Sequence, residues 1–317
     1  MDSPHVPAFP DGQQKCEAGG PETTPTPAFR LLAMAADDLG ASTELYRLAY
    51  YAQAVFLFQQ AVEKTTKSFG MHFAGLTESE ARSSRKVGHL SVRVFERSAK
   101  KVEEEMVAVK EAIDTVPEMK RVVEITEFDI TPLVDGIRMI VTSLNELSND
   151  HKMYRDLPIE DLMNILRYIQ ENESQITQIH NAIQENNLPV ADLLTLKKEA
   201  HLKMEPIYAA YPEHGDDLKK GVEDLMDLFT QKKFWREVIG PCCDFGGAMI
   251  SLLGLSFVMQ PHAIAARYPE EDFDPLEFYT PDLPLIHALP SLYRIADRSI
   301  DRLHRLYATT SLEVEPL

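Results

Sequence analysis

The amino-acid sequence predicts an all-α fold, and three observations carry that prediction. Glycine is sparse, 14 in 317 residues, and after proline it is the residue that most weakens a helix. Segments rich in Leu, Ala, Glu, Lys and Met greatly outnumber alternating Val, Ile and Thr runs, so little or no sheet is expected. Several segments also repeat apolar residues every three or four positions, the period of a helix with one buried face. At 44% apolar content the chain can bury one large core or two modest ones.

Residues 1–28 hold six prolines and three glycines, a composition that cannot bury enough surface to order itself, and a disordered tail is expected there. A long helix should follow, capped by Ser42 or Thr43 and running to about Phe73, where Gly75 and Thr77 interrupt it. Its apolar seam comprises Leu45, Leu48, Ala52, Val55, Val62 and Phe69, and the spacing places Gln59 and Thr66 on the same seam. Gln59 is therefore predicted to be buried, which requires a hydrogen-bond partner. Beside that seam Phe56, Gln60, Glu63 and Lys67 form a second row, close enough to pair along the helix.

A second long helix is expected to open near Gly88 or His89. Further helices follow, broken at Pro117, Pro132, Pro158, Pro189, Pro206 and Pro212, with helical periodicity over 134–147, 162–183 and 218–229. The spacing then predicts a buried helix over residues 235–259, a proline-rich loop, and a last helix over 286–309. The longest apolar stretch, residues 245–259, is shorter than the roughly 20 residues of a spanning helix, so it reads as core and no membrane role is expected. The N-terminus carries no secretory pattern, and three cysteines in unpaired spacing suit a reduced, cytoplasmic setting.

The formal charge of -18 repels nucleic-acid phosphates at long range, so a basic function would have to be local. Residues 102–235 hold 27 Asp and Glu against 14 Lys and Arg, a net of -13. The stretch 82–101 runs the other way, with Arg82, Arg85, Lys86, Arg93, Arg97, Lys100 and Lys101 against Glu96 alone. It is a basic island in an acidic chain. No HExxH, GxxxxGK[ST], GxGxxG or GxSxG occurs, so no metal or cofactor is expected.

Phe56 with QQAVEKTTKS at 59–68, GHL at 88–90, and ARYPEE at 266–271 before a closing helix resemble the HEPN family. That family, named for higher eukaryotes and prokaryotes nucleotide-binding, shows a QQAxEKxxK helix, a His-x-Leu opening the next helix, and an Arg-Tyr-Pro turn. The match covers about 43–100 and 236–309, and the chain departs from it by a helical insertion of roughly 135 residues between them. The resemblance implies an up-and-down helical bundle built from 29–100 and 236–317, interrupted by an acidic helical insert at 101–235. It also implies that Gln59, Gln60, Glu63 and Lys67 lie near His89 and Arg267. Together with Arg85, Lys86 and Arg93 they would form a groove for a nucleotide or RNA, or a polar network that only specifies the bundle.

Many members resemble one another in an Arg-x4-6-His motif of a metal-independent ribonuclease, with two copies meeting across a homodimer. Arginine would stabilise the transition-state phosphate and histidine would act as acid or base. Arg298 with His304 fits that spacing, as does Arg82 with His89. With 16 arginines and 10 histidines in the chain, such spacings arise by chance, so they carry no weight alone. Ser299 stands where nuclease members commonly have Asn, and Asp297 and Asp301 would pair with neighbouring arginines. Three functions remain open: RNA or nucleotide binding, an RNA endonuclease of the toxin or defence type, and a scaffold whose acidic insert at 101–235 binds a protein partner.

Overall fold

A computed structural model describes residues 26–83, 91–117, 120–121, 123, 129–149, 157–185, 190–229, 231–269 and 273–311, and these contain helices and no strand. Helix α1 (Pro27–Arg47) starts inside the segment expected to be a tail, because Thr26 and Pro27 together form a helix start. The Thr26 hydroxyl accepts from the Phe29 N–H at 3.3 Å, and Ala28 and Leu32 are buried. Helix α2 (Tyr51–Phe73) follows after three residues. Ser42 and Thr43 therefore lie inside α1 instead of capping a longer helix. The Ser42 hydroxyl, fully buried, donates to the Ala54 carbonyl at 2.7 Å and stands 2.9 Å from the Tyr293 hydroxyl. A helix start at Ser42 would have placed Leu48 in the seam; the turn leaves it 64% exposed.

That turn needs Ala49 at φ 62, a left-handed conformation that an L side chain adopts at a cost. Ala49→Gly is expected to stabilise the fold by about 0.5–1 kcal/mol, read as a higher urea midpoint at unchanged slope. A lower midpoint would show that the turn is not held as described.

Helix α3 (Glu78–Arg82) is closed by a Thr77 and Glu80 capping box. Helices α4 (Val92–Thr115) and α5 (Thr131–Asn149) pack on each other, then come α6 (Ile159–Glu185), α7 (Val190–Ala210) and α8 (Gly215–Leu228), the last two also paired. A π-helical turn (Trp235–Ile239) leads into α9 (Gly240–Met259), followed by the short α10 (His262–Ala265) and α11 (Pro275–Phe278), and the closing α12 (Pro284–Ser311).

Four of these form the bundle. Ser68 donates to the Ala28 carbonyl at 2.6 Å while Ser42 meets Ala54, so α1 and α2 run antiparallel. Thr66 meets Ser256 at 3.2 Å and Phe69 stacks on Phe245, so α9 runs against α2. Phe58 packs on Tyr293, and Ser68 bonds Tyr307, so α12 runs parallel to α2. The order α1, α2, α9, α12 is thus up-down-up-down around a core that includes Phe58, Phe69, Leu252, Leu255, Leu289 and Leu303.

The segment 101–235 does not stand apart from this bundle. The boundary at residue 101 falls inside α4, whose first turns bury Val92, Val94 and Phe95. Leu162, Leu166 and Ile169 of α6 join the main core. Helix α6 approaches α9 closely because Gly247 and Gly254, seven apart, receive Ile176 and Ile169, also seven apart. A Cβ at Gly254 would sit 2.6 Å from Ile169 Cδ1. Gly254→Val is expected to destabilise the protein by about 1–3 kcal/mol through overpacking, measured by urea unfolding; an unchanged midpoint would contradict this packing.

Among the described residues one helix, Trp235–Met259, is long and apolar enough to cross a membrane by length and composition. Here its Gly247, Ala248, Ser251, Leu252 and Leu255 are buried against α2, α6 and α12, as expected of a core helix.

Candidate functional site

The polar residues inside α2 form a chain of hydrogen bonds. Gln59 is 2% exposed and donates through Nε2 to Glu63 Oε2 at 3.2 Å, while Gln60 donates to Gln59 Oε1 at 2.6 Å. Lys67 Nζ stands 2.7 Å from Glu63 Oε1. Buried amide and carboxylate thus find partners one helical turn away, which is what their spacing allows. Gln59 and Glu63 are closed off from solvent, and Gln60 and Lys67 are partly exposed.

Phe56, Gln60, Glu63, Lys67, Gly70 and Ala74 follow one another at steps of three and four, so they share one stripe of α2. At one end the Arg267 guanidinium lies 4.9 Å from the Phe56 ring centroid and 5.5 Å from that of Tyr268. At the other, Ala74 and Gly75 border a cleft of about 770 Å³ between α4 and α5. Ala74 lies eighteen positions beyond Phe56, about 27 Å along a helix. Arg267 and the cleft are therefore the two ends of one stripe and not neighbours.

The cleft carries four cations, Arg93, Arg97, Lys100 and Lys101, against Glu96 and Glu104, a local excess of two positive charges. Asn145, Ser148 and Asn149 of α5 add hydrogen-bonding groups. Arg97 pairs with Glu80 at 2.8 Å and Lys100 with Glu96 at 2.5 Å, which fixes their heads along the wall. Lys101 makes no ion pair among the described residues. Arg85, Lys86 and His89 lie outside the described residues.

Arg298 and His304 sit on α12 about 120° apart around its axis, and they meet different neighbours. Arg298 Nη1 stands 3.5 Å from Glu173 Oε2 on α6. His304 packs edge-on against Phe29 of α1, ring centroids 5.1 Å apart. Burial holds the His304 imidazole below its ordinary value of 6.5, with Asp301 opposing. His72, stacked on Tyr307 at 4.2 Å, is lowered by burial as well. A histidine lowered in the folded state takes up its proton more readily when unfolded, so both contribute stability above about pH 6.5 that is lost as pH falls toward their folded values. His304→Phe is expected to flatten the fall of the urea midpoint between pH 7.5 and 5.5; an unaltered pH profile would contradict it.

A second set of buried charges lies between α6, α9 and α12. Arg302 is 5% exposed and Glu173 4%, and their contact is bidentate, Arg302 Nη1 to Glu173 Oε1 and Nη2 to Oε2, the latter at 2.9 Å. Ser251 donates to Glu173 Oε1 at 3.0 Å. Asp244 accepts from Arg305 Nη2 at 3.0 Å and lies 3.5 Å from Arg302 Nε. The sequence suggested that Asp297 and Asp301 pair with neighbouring arginines, and Arg298 and Arg302 are the adjacent ones. Among the described residues their ion pairs are instead to Glu173 and Asp244, more than fifty positions away in sequence.

No family model, no curated protein and no solved structure matches the chain.

Proposed function

We propose that this is a HEPN-like protein that binds single-stranded RNA through the basic cleft between α4 and α5. The observation that carries the reading is the concentration of Arg93, Arg97, Lys100 and Lys101 on one wall of a 770 Å³ cleft in a chain of net charge -18. A positive site on so acidic a molecule works over short range only, where side chains reach phosphates directly. The amides of Asn145 and Asn149 face it from α5 and supply donors and acceptors for sugar or base edges.

The family resemblance supports the same reading. The QQAVEK segment lies in α2, the ARYPEE segment follows α9 and α10, and α12 closes the chain. Fluorescence anisotropy of a labelled single-stranded RNA, titrated with the full chain in chelator, tests the proposal. Saturable binding is expected. An affinity for RNA no better than that for a mononucleotide would redirect the reading to a nucleotide site, and no binding to either would end it.

A further inference from the structure

A second cleft, of about 710 Å³, opens between α6, α9 and α12, away from the α4 site. His180, Arg236, Asp244 and Arg305 line it together with the apolar Ile183, Pro241 and Leu306. A smaller cavity of about 380 Å³ adjoins it, sharing His180, Asp244 and Arg305 and adding Arg298, Arg302, Glu173 and Asp301. Four arginines against three carboxylates leave the joint site positive, in a protein that is strongly negative overall.

Three features of this cleft go beyond what the fold requires. Arg305 spends Nε and Nη2 on Asp244, at 3.4 and 3.0 Å, which leaves the other edge of its fork, on a side chain 55% exposed, without a bond among the described residues. Arg236 makes no ion pair among the described residues and is carried on the π-helical turn, a distortion frequent at functional sites. The Trp235 indole donates to the Phe229 carbonyl at 2.5 Å and ties down that turn. Finally, Nε2 of His180 is buried, has no hydrogen-bond partner among the described residues, and stands 3.9 Å from Asp244 Oδ1, a gap too long for a direct bond. A buried ring nitrogen left without a partner is disfavoured unless something else fills the place.

We propose that this cleft binds a small organic anion, phosphorylated or carboxylated. Its charged group is held by the free edge of Arg305 and by Arg236. Its apolar body lies on Ile183, Pro241 and Leu306, and the His180 ring borders it. The volume suits a metabolite-sized ligand, and the mixture of apolar wall with a few converging polar groups is the usual make-up of such sites. The site is independent of RNA binding at α4.

The test is calorimetric titration of the full chain with pyrophosphate and, separately, with citrate. At least one of them is expected to bind with a dissociation constant at or below about 1 mM. The tighter of the two identifies the phosphate or carboxylate class. Arg236→Gln, on an exposed side chain that the fold does not use, is expected to weaken that binding about tenfold, the loss of one charge-assisted contact. Arg93→Glu/Lys101→Glu should leave it unchanged. No binding of either probe, undiminished affinity in Arg236→Gln, or loss of affinity in the α4 variant would each overturn the proposal.

Discussion

Glu173→Leu is expected to lower the unfolding free energy by about 3–5 kcal/mol, the effect of stranding a buried charge. Its partner Arg302 would remain 5% exposed with its Nη groups unpaired, and Asp244, already engaged by Arg305, reaches only Nε at 3.5 Å. The Ser251 hydroxyl would lose its acceptor as well. Removing both charges in Glu173→Leu/Arg302→Met should recover most of the loss, because a buried ion pair adds little over apolar residues of similar size. Urea unfolding of the two proteins decides the matter. A single variant within about 1 kcal/mol of the parent would show that this pair is solvated and does not join α6 to α12.

The second large effect is on binding. Arg93→Glu/Lys101→Glu turns the cleft between α4 and α5 from an excess of two positive charges to an excess of two negative ones. RNA affinity is expected to fall at least about a hundredfold, since close like charges replace phosphate contacts each worth a charge-assisted hydrogen bond. Both side chains lie partly or fully in solvent, so the fold should be retained, with an unchanged helical circular-dichroism spectrum. RNA affinity equal to that of the parent would place binding elsewhere.

Most parts of this fold governed by local rules were legible in the sequence; the exception is Pro206, expected to break a helix and found inside α7. Gln59 was predicted to be buried from its place in the α2 seam, and it is; Gln60, Glu63 and Lys67 formed the predicted row. Helix type followed from composition and period. The break at Leu48 to Tyr50 was not legible, because no Gly or Pro marks it and Ala49 takes its left-handed conformation under tertiary packing, with Ser42 buried against Tyr293 251 positions away. The start of α1 was hidden by the proline-rich composition before it, although Thr26 with Pro27 carried a start signal. The buried charge cluster was beyond reach for a different reason. Arg302 directly follows Asp301 in the sequence, but its partner Glu173 is 129 residues earlier, and nothing local selects it over Asp301.

The basic island was legible as charge, and the structure adds what surrounds it: Arg97 held by Glu80, and a facing wall of asparagines from α5. That wall comes from residues 145–149, whose proximity to α4 depends on how the two helices pair. Composition does not show it.

The most direct measurement is the salt dependence of RNA affinity for the parent chain and for Arg93→Glu/Lys101→Glu. If phosphates sit in the cleft between α4 and α5, the logarithm of the parent's association constant falls with the logarithm of salt concentration at a slope of about -0.7 per phosphate contacted, so roughly -2 for three contacts. The variant's residual binding should have a slope close to zero. Equal slopes in the two proteins would contradict binding at this cleft.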